Sequence, residues 1–192
     1  MATSFSVIAV GCMAISASYH SLTLQVAVSL NTGATSVIGN VIGEEDSLMS
    51  IVLAIVSYIE GTIIYTIIAL LTYTYSHEIA TIYSSDNPDT AATLAVVLES
   101  LIPQIWLISQ VLCLQGTLKA VQRQRIASSV LILCLYLVSL PMATWLAFDE
   151  QMGVKGLWLG FSLGNIPVIF MYVIIIFAID WNLVIEEASI QR

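Results

Sequence analysis

Val37–Asp46, VIGNVIGEED, decides how the rest of the chain is read. It closes a long apolar run, places Gly39 and Asn40 ahead of Gly43, and then sets Glu44, Glu45 and Asp46 side by side. In a water-soluble domain, a glycine turn followed by three carboxylates suggests a calcium loop. Nothing else nearby supplies the six to eight oxygens such an ion takes, so no metal ligand is assigned and no cofactor is expected. The flanks give another reading. The glycines allow a tight exit from a membrane helix, and Asn40 can hydrogen-bond the backbone freed at its end. The acids then sit in water at the start of the next helix, where the dipole favours negative charge.

The composition supports a membrane setting. The chain is 58% hydrophobic and only 9% charged, against roughly a quarter charged in ordinary soluble domains. Mean hydropathy is +0.94. The net charge of −8 is no surface-wide field, because the acids cluster between apolar runs. With five Lys and Arg in total, nucleic acid is excluded as a partner, and the lipid bilayer is the expected medium. Cys12, Cys113 and Cys134 lie singly inside apolar runs, a pattern unlike a disulfide framework or a zinc site. The first thirty residues lack the basic start of a cleavable signal.

Working outward from Val37–Asp46, five runs are long enough to cross a ~30 Å hydrocarbon core as helices. They cover residues 6–38, 48–73, 91–118, 126–148 and 154–179, with a tail at 180–192. Lipid-exposed strands would leave backbone groups unpaired, so the expected fold is an all-α membrane protein, a bundle of five transmembrane helices. Lys119, Arg123, Arg125 and Arg192 fall on one side and Lys155 on the other. The positive-inside rule puts the four, and with them the C-terminus and VIGNVIGEED, in the cytoplasm. Trp145, Trp158 and Trp181 fall near span ends, as in an interfacial belt. An odd number of spans with the N-terminus outside suggests missing upstream sequence, or a first span that inserts on its own.

The first span is the most polar. At 100° per residue, Ser18, Ser21, Gln25, Ser29, Thr32 and Ser36 form one stripe, and Leu22, Val26, Leu30 and Val37 a separate apolar arc. The stripe either lines a wet cavity or packs helices through small hydroxyls. His20 and Asn31 lie off it, on nearly the opposite face. His20 is either a proton site or a neutral ring bonded to a neighbouring helix. Glu60, mid-span in the second run, costs about 2.5–3.5 kcal/mol to insert. It is therefore expected to face the bundle interior, as a proton-coupling acid or a protonated group bonded to backbone. At ~1.5 Å per residue, His20 and Glu60 fall at different depths. Pro141 and Pro167 are expected to kink spans four and five, and Gly156, Gly160 and Gly164 to allow close helix packing. No nucleophile–base pair, metal cluster or phosphate loop indicates an enzyme.

LQVAVSLNTGATSVIGNVIGEED resembles the signature of the multidrug and toxic compound extrusion (MATE) family, a polar helix ending in a GN-x-x-G turn made here by Gly39, Asn40 and Gly43. IYSSDNPDT and LQGTLKAVQRQR are similar to the loops before and after the family's tenth helix. LYLVSLPMA and GVKGLWLGFSLG resemble its eleventh and twelfth helices, and IDWNLVIEEA its cytoplasmic tail. The resemblance covers nearly the whole chain and implies helices eight to twelve, the C-terminal lobe of a twelve-helix antiporter. Such proteins export organic cations or drugs in exchange for protons or sodium, by alternating access between two lobes. It further implies a partial chain, without the first lobe and seventh helix, that needs the missing lobe or another transporter chain as partner. Plasma membrane and vacuolar or endosomal membranes fit equally. Glu60, His20, Gln25, Ser18 and Ser29 are the transport and coupling candidates. The sequence departs from the family at Val37, where an arginine is usual, and at Lys119-Ala120 in place of Arg-Gly. The acids many eukaryotic members carry in helices eight and ten are replaced here by apolar or small residues, near Ser18 and Ile108. These departures support an alternative, a degenerate, non-transporting membrane protein that acts as an interaction partner.

Overall fold

The computed structural model describes residues 7–84 and 88–190, and over them the chain is helical apart from short turns. Helix α1 (Val7–Gly43) and α2 (Ser47–Thr74) form an antiparallel pair, followed by a short α3 (Ser76–Tyr83) and the long α4 (Pro88–Ala120). The next span is composite: α5 (Gln124–Cys134) and α6 (Leu140–Thr144) alternate with two wide helical turns, Leu135–Ser139 and Trp145–Asp149. Helix α7 (Val154–Phe177) and α8 (Trp181–Ile190) complete the described chain. Five helical stretches are long and apolar enough to cross a bilayer, matching the five expected runs with ends shifted by a few residues. Ser6 and the orienting Arg192 lie outside the described residues, as do positions 85–87 of the loop before α4.

Helix α4 is the axis of the bundle, packed against α1, α2, α3 and α7. Its Leu94, Leu98, Leu101, Ile105, Val111 and Leu118 are almost fully buried. The other spans turn large apolar side chains outward, among them Val52, Ile55, Ile59, Ile63 and Ile67 of α2, as a surface meeting lipid requires.

The glycine seam is where the sequence placed it. A Cβ on Gly156 would stand 2.6 Å from backbone atoms of Leu146 and Ala147; one on Gly160 would strike the backbone of Ala143, and one on Gly164 would strike Ser139. Ser139, Ala143 and Ala147 repeat every fourth residue too, so two small-residue rows let backbones meet. The break at Pro141 is absorbed by widened turns. Leu140 N–H bonds back five residues to Leu135 O, and the proline has no N–H to continue the normal ladder. Around Pro167, α7 stays one continuous helix.

Three expectations need correction. First, Gly39, Asn40 and Gly43 do not form a turn; all three are inside α1. The turn falls at Glu45, φ 63°, where Asp46 N–H bonds Val41 O (3.3 Å) and Glu45 N–H bonds Ile42 O (3.1 Å). This is a Schellman closure with glutamate in the usual glycine position. The helix continues because Ile42 is buried, which rewards one further turn. The acids do start the next helix: Asp46 Oδ1 accepts Met49 N–H at 2.9 Å, an N-cap. Second, Trp158 is buried rather than interfacial, whereas Trp145 is exposed. Third, α3 and α8 occupy segments taken for loop and tail. In α8, Asp180 caps the first turn through Asn182 N–H (3.0 Å), and Val184 packs with Ile38, Ile42, Ala54 and Val121.

Candidate functional site

The two faces of α1 organise the site. Ser18, Ser21, Gln25, Ser29, Thr32 and Ser36 are all exposed, pointing away from the other helices. Each hydroxyl donates to its own helix: Ser18 to Ala14 O (3.0 Å), Ser21 to Ala17 O (2.9 Å), Ser29 to Gln25 O (2.9 Å), Thr32 to Val28 O (2.9 Å) and Ser36 to Thr32 O (3.0 Å). Among the described residues the stripe therefore joins no other helix. Helix carbonyls hold the protons, so the hydroxyl lone pairs face outward as acceptors.

The opposite face is tied into the bundle. Asn31 is buried; its Nδ2–H donates to Leu112 O (2.5 Å), and its Oδ1 accepts from Lys119 Nζ (3.0 Å). Thr35 Oγ1 donates to Asn31 O (2.8 Å) and contacts Gly116 O at 3.1 Å. Tyr65 of α2 donates to Thr23 O (2.5 Å), and Tyr19 and Thr72 share a bond of 2.7 Å. Asn31, Thr35, Thr23 and Tyr19 thus bond across to α4 and α2.

His20 lies on the inner face, half-buried, edge-on to Trp158 with ring centroids 5.2 Å apart. Trp158 Nε1–H donates to Ser16 Oγ (3.1 Å), which donates to Met13 O (3.0 Å). His20 Nδ1 is buried and has no hydrogen-bond partner among the described residues. So the ring meets α7 through an aromatic contact, and the expected interhelical hydrogen bond is not made at Nδ1.

Glu60 corrects the remaining expectation. It is exposed on the outer side of α2, in a shallow cavity of about 410 Å³ with Val56, Ile59, Ile63 and Ile64. The interior register is taken by Gly61 and Tyr65, because a Cβ at Gly61 would strike Cys113 of α4. That register turns position 60 outward. His20 and Glu60 are apart, as their depths implied. From the Thr23–Tyr65 contact, His20 lies three residues one way and Glu60 five the other, roughly 12 Å along the axis. Sequence reasoning missed the interior pairs Asn165–Gln104 (2.9 Å) and Thr62–Gln110 (2.9 Å). Each joins different spans, and no spacing along the chain relates them.

A bundle of membrane-length helices with one outward polar face defines an integral, multi-pass membrane protein. Comparison with known proteins gives the family. The MatE family model matches residues 1–145, and the chain belongs to that family. It is 27% identical over 178 residues to Protein DETOXIFICATION 36 of Arabidopsis thaliana, covering 93% of this chain and 34% of that protein. It is likewise 27% identical over 180 residues to the uncharacterized transporter C4B3.13 of Schizosaccharomyces pombe, covering 93% and 33%. The fold matches the crystal structure of the eukaryotic MATE transporter AtDTX14 with TM-score 0.88 at 18% identity, over 96% of this chain and 41% of that one. It also matches an inward-facing multidrug resistance MATE transporter of the MOP superfamily, with TM-score 0.73 at 14% identity, over 91% and 39%. The chain thus spans about a third of the length of these curated relatives.

Proposed function

We propose that these five spans are helices eight to twelve of a MATE-type antiporter, which exports organic cations or xenobiotics in exchange for protons or sodium. The outward stripe of α1 carries this reading. Five hydroxyls and Gln25 along one exposed helix face would be misplaced in lipid, yet they suit the wall of a wet path. Outward acceptors match the N–H donors of an organic cation without binding it too tightly to release. A complementary lobe, from the same polypeptide or another chain, closes the path. Ser18, Gln25 and Ser29 line it, and His20, whose Nδ1 is unpartnered inside the bundle, is the proton acceptor. Glu60 serves coupling only where another element covers α2. The C-terminus is cytoplasmic, in a plasma or vacuolar/endosomal membrane.

The second reading, a non-transporting interaction partner, draws on the departures from the family resemblance near Ser18 and Ile108, where acids are usual in many members. One experiment separates the two. Vesicles from source cells, and from cells lacking this gene, are loaded with a fluorescent organic cation and given a proton or sodium gradient. Deletion is expected to remove part of the gradient-driven efflux. The wild-type chain restores it, and Gln25→Leu restores it about fivefold more slowly, the worth of one hydrogen bond. Efflux unchanged by deletion under both gradients would sink the transport reading. If Glu60→Gln leaves efflux and its pH dependence intact, Glu60 leaves the mechanism.

A further inference from the structure

Three of the five basic residues of this acidic chain lie within seven positions, Lys119 to Arg125, and two of them line one cavity. The cavity is about 470 Å³ and is lined by Lys119, Gln122, Gln124 and Arg125. It sits where α4 ends and α5 begins. Its shape is set by Gln122, held at φ 59°, with Arg123 N–H bonded back to Leu118 O at 2.8 Å. That closure divides the basic residues. Arg123 turns to α8 and pairs with Glu187 at 3.6 Å, while Lys119 and Arg125 are left on the cavity. Asn31 takes one of the three N–H groups of Lys119. Among the described residues, nothing bonds the guanidinium of Arg125.

We propose that this cavity binds the phosphate group of an anionic membrane lipid. Two cations, Lys119 and Arg125, line it beside Gln122 and Gln124, with no acid among the described lining residues. Of the acids in α8, Glu187 is already paired with Arg123. The volume holds a headgroup, since a water takes roughly 30 Å³. The place fits as well: Lys119 is in the last turn of the α4 span, and Ile126, just beyond Arg125, is exposed. Acyl chains therefore have an apolar wall directly below the basic groups. Basic pockets between spans at a membrane surface take lipid phosphates by this combination. Orienting the protein in the membrane also uses these charges, but it needs no shared cavity. The inference does not depend on the transport reading.

The test is native mass spectrometry of the purified full chain, offered equal amounts of phosphatidic acid and phosphatidylcholine with the same acyl chains. Wild type is expected to retain phosphatidic acid preferentially. Arg125→Gln and Lys119→Gln each reduce that preference about fivefold, the usual effect of one basic group near the surface. Arg123→Gln leaves it unchanged. Should Lys119→Gln unfold through loss of its bond to Asn31, Arg125→Gln decides alone. Equal retention of the two lipids, or a preference unaltered in Arg125→Gln, overturns the proposal. Binding of inorganic phosphate to the cavity without any lipid preference assigns it to free phosphate and overturns the lipid as its source.

Discussion

The two faces of α1 are built from nearly the same residue types, yet they do opposite work. Inward, Asn31, Thr35 and Thr23 engage α4 and α2. Outward, Ser18, Ser21, Ser29, Thr32 and Ser36 bond only to their own helix. The contrast extends to glycine. Gly116 of α4 is pressed against α1, where an added Cβ would stand 3.0 Å from Asn31 O and 3.3 Å from Ala34 Cβ, while a Cβ on the outward Gly33 would meet nothing within 4 Å. In a membrane helix polarity alone does not mark a site. What separates a structural polar group from one available to a ligand is whether a neighbour has already satisfied it.

The largest effect should come from the paired glycines. Gly116→Leu forces α1 off α4 and is expected to cost about 3 kcal/mol, the upper end of ordinary overpacking. Gly33→Leu should stay within about 0.5 kcal/mol. Thermal unfolding in detergent with a thiol-reactive dye reads both, because Cys12 and Cys113 are buried until the bundle opens. Equal losses from the two variants would break the comparison.

Asn31→Leu comes next, at about 2 kcal/mol, because it strips Lys119 of its acceptor inside the bundle. Its outward counterpart, Ser29→Ala, should leave the melting curve in place. A Ser29→Ala variant as unstable as Asn31→Leu would mean that the outer face is packed after all.

The smallest change sharpens the picture at the turn where both faces end. Glu45 holds a left-handed φ of 63°, and such a conformation costs a side chain roughly 1–2 kcal/mol that glycine avoids. Glu45→Gly should therefore stabilise the protein by about 1 kcal/mol in the same assay. A loss of stability would show that the Glu45 side chain makes up for its backbone.

Much of the fold was legible in the residues. The five spans follow from uninterrupted apolar length, and the seam at Gly156, Gly160 and Gly164 from fourfold spacing. The inner and outer positions of α1 were separable on a helical wheel, so the stripe and His20 were rightly set on opposite faces. The residues could not say which helix covers which face. Glu60 was expected inside because an acid in lipid is costly, but the close approach of Gly61 to Cys113 fixed the register and turned it out. Trp158 looked interfacial from its distance to the loop, but contact with Ser16 and His20 buries it.

Composition and periodicity alone were enough to put this chain in a membrane, to count the helices that can cross it, and to say which residues share a helix face. Those properties depend on transfer from water and on helical periodicity, both local to a segment. Packing between helices decided that VIGNVIGEED turns at Glu45 rather than at its glycines, and that Lys119 and Arg125 meet at one cavity. It also decided that no other helix among the described residues takes up the polar stripe of α1. Each of these depends on which surface another helix reaches first, and a single segment carries no record of that.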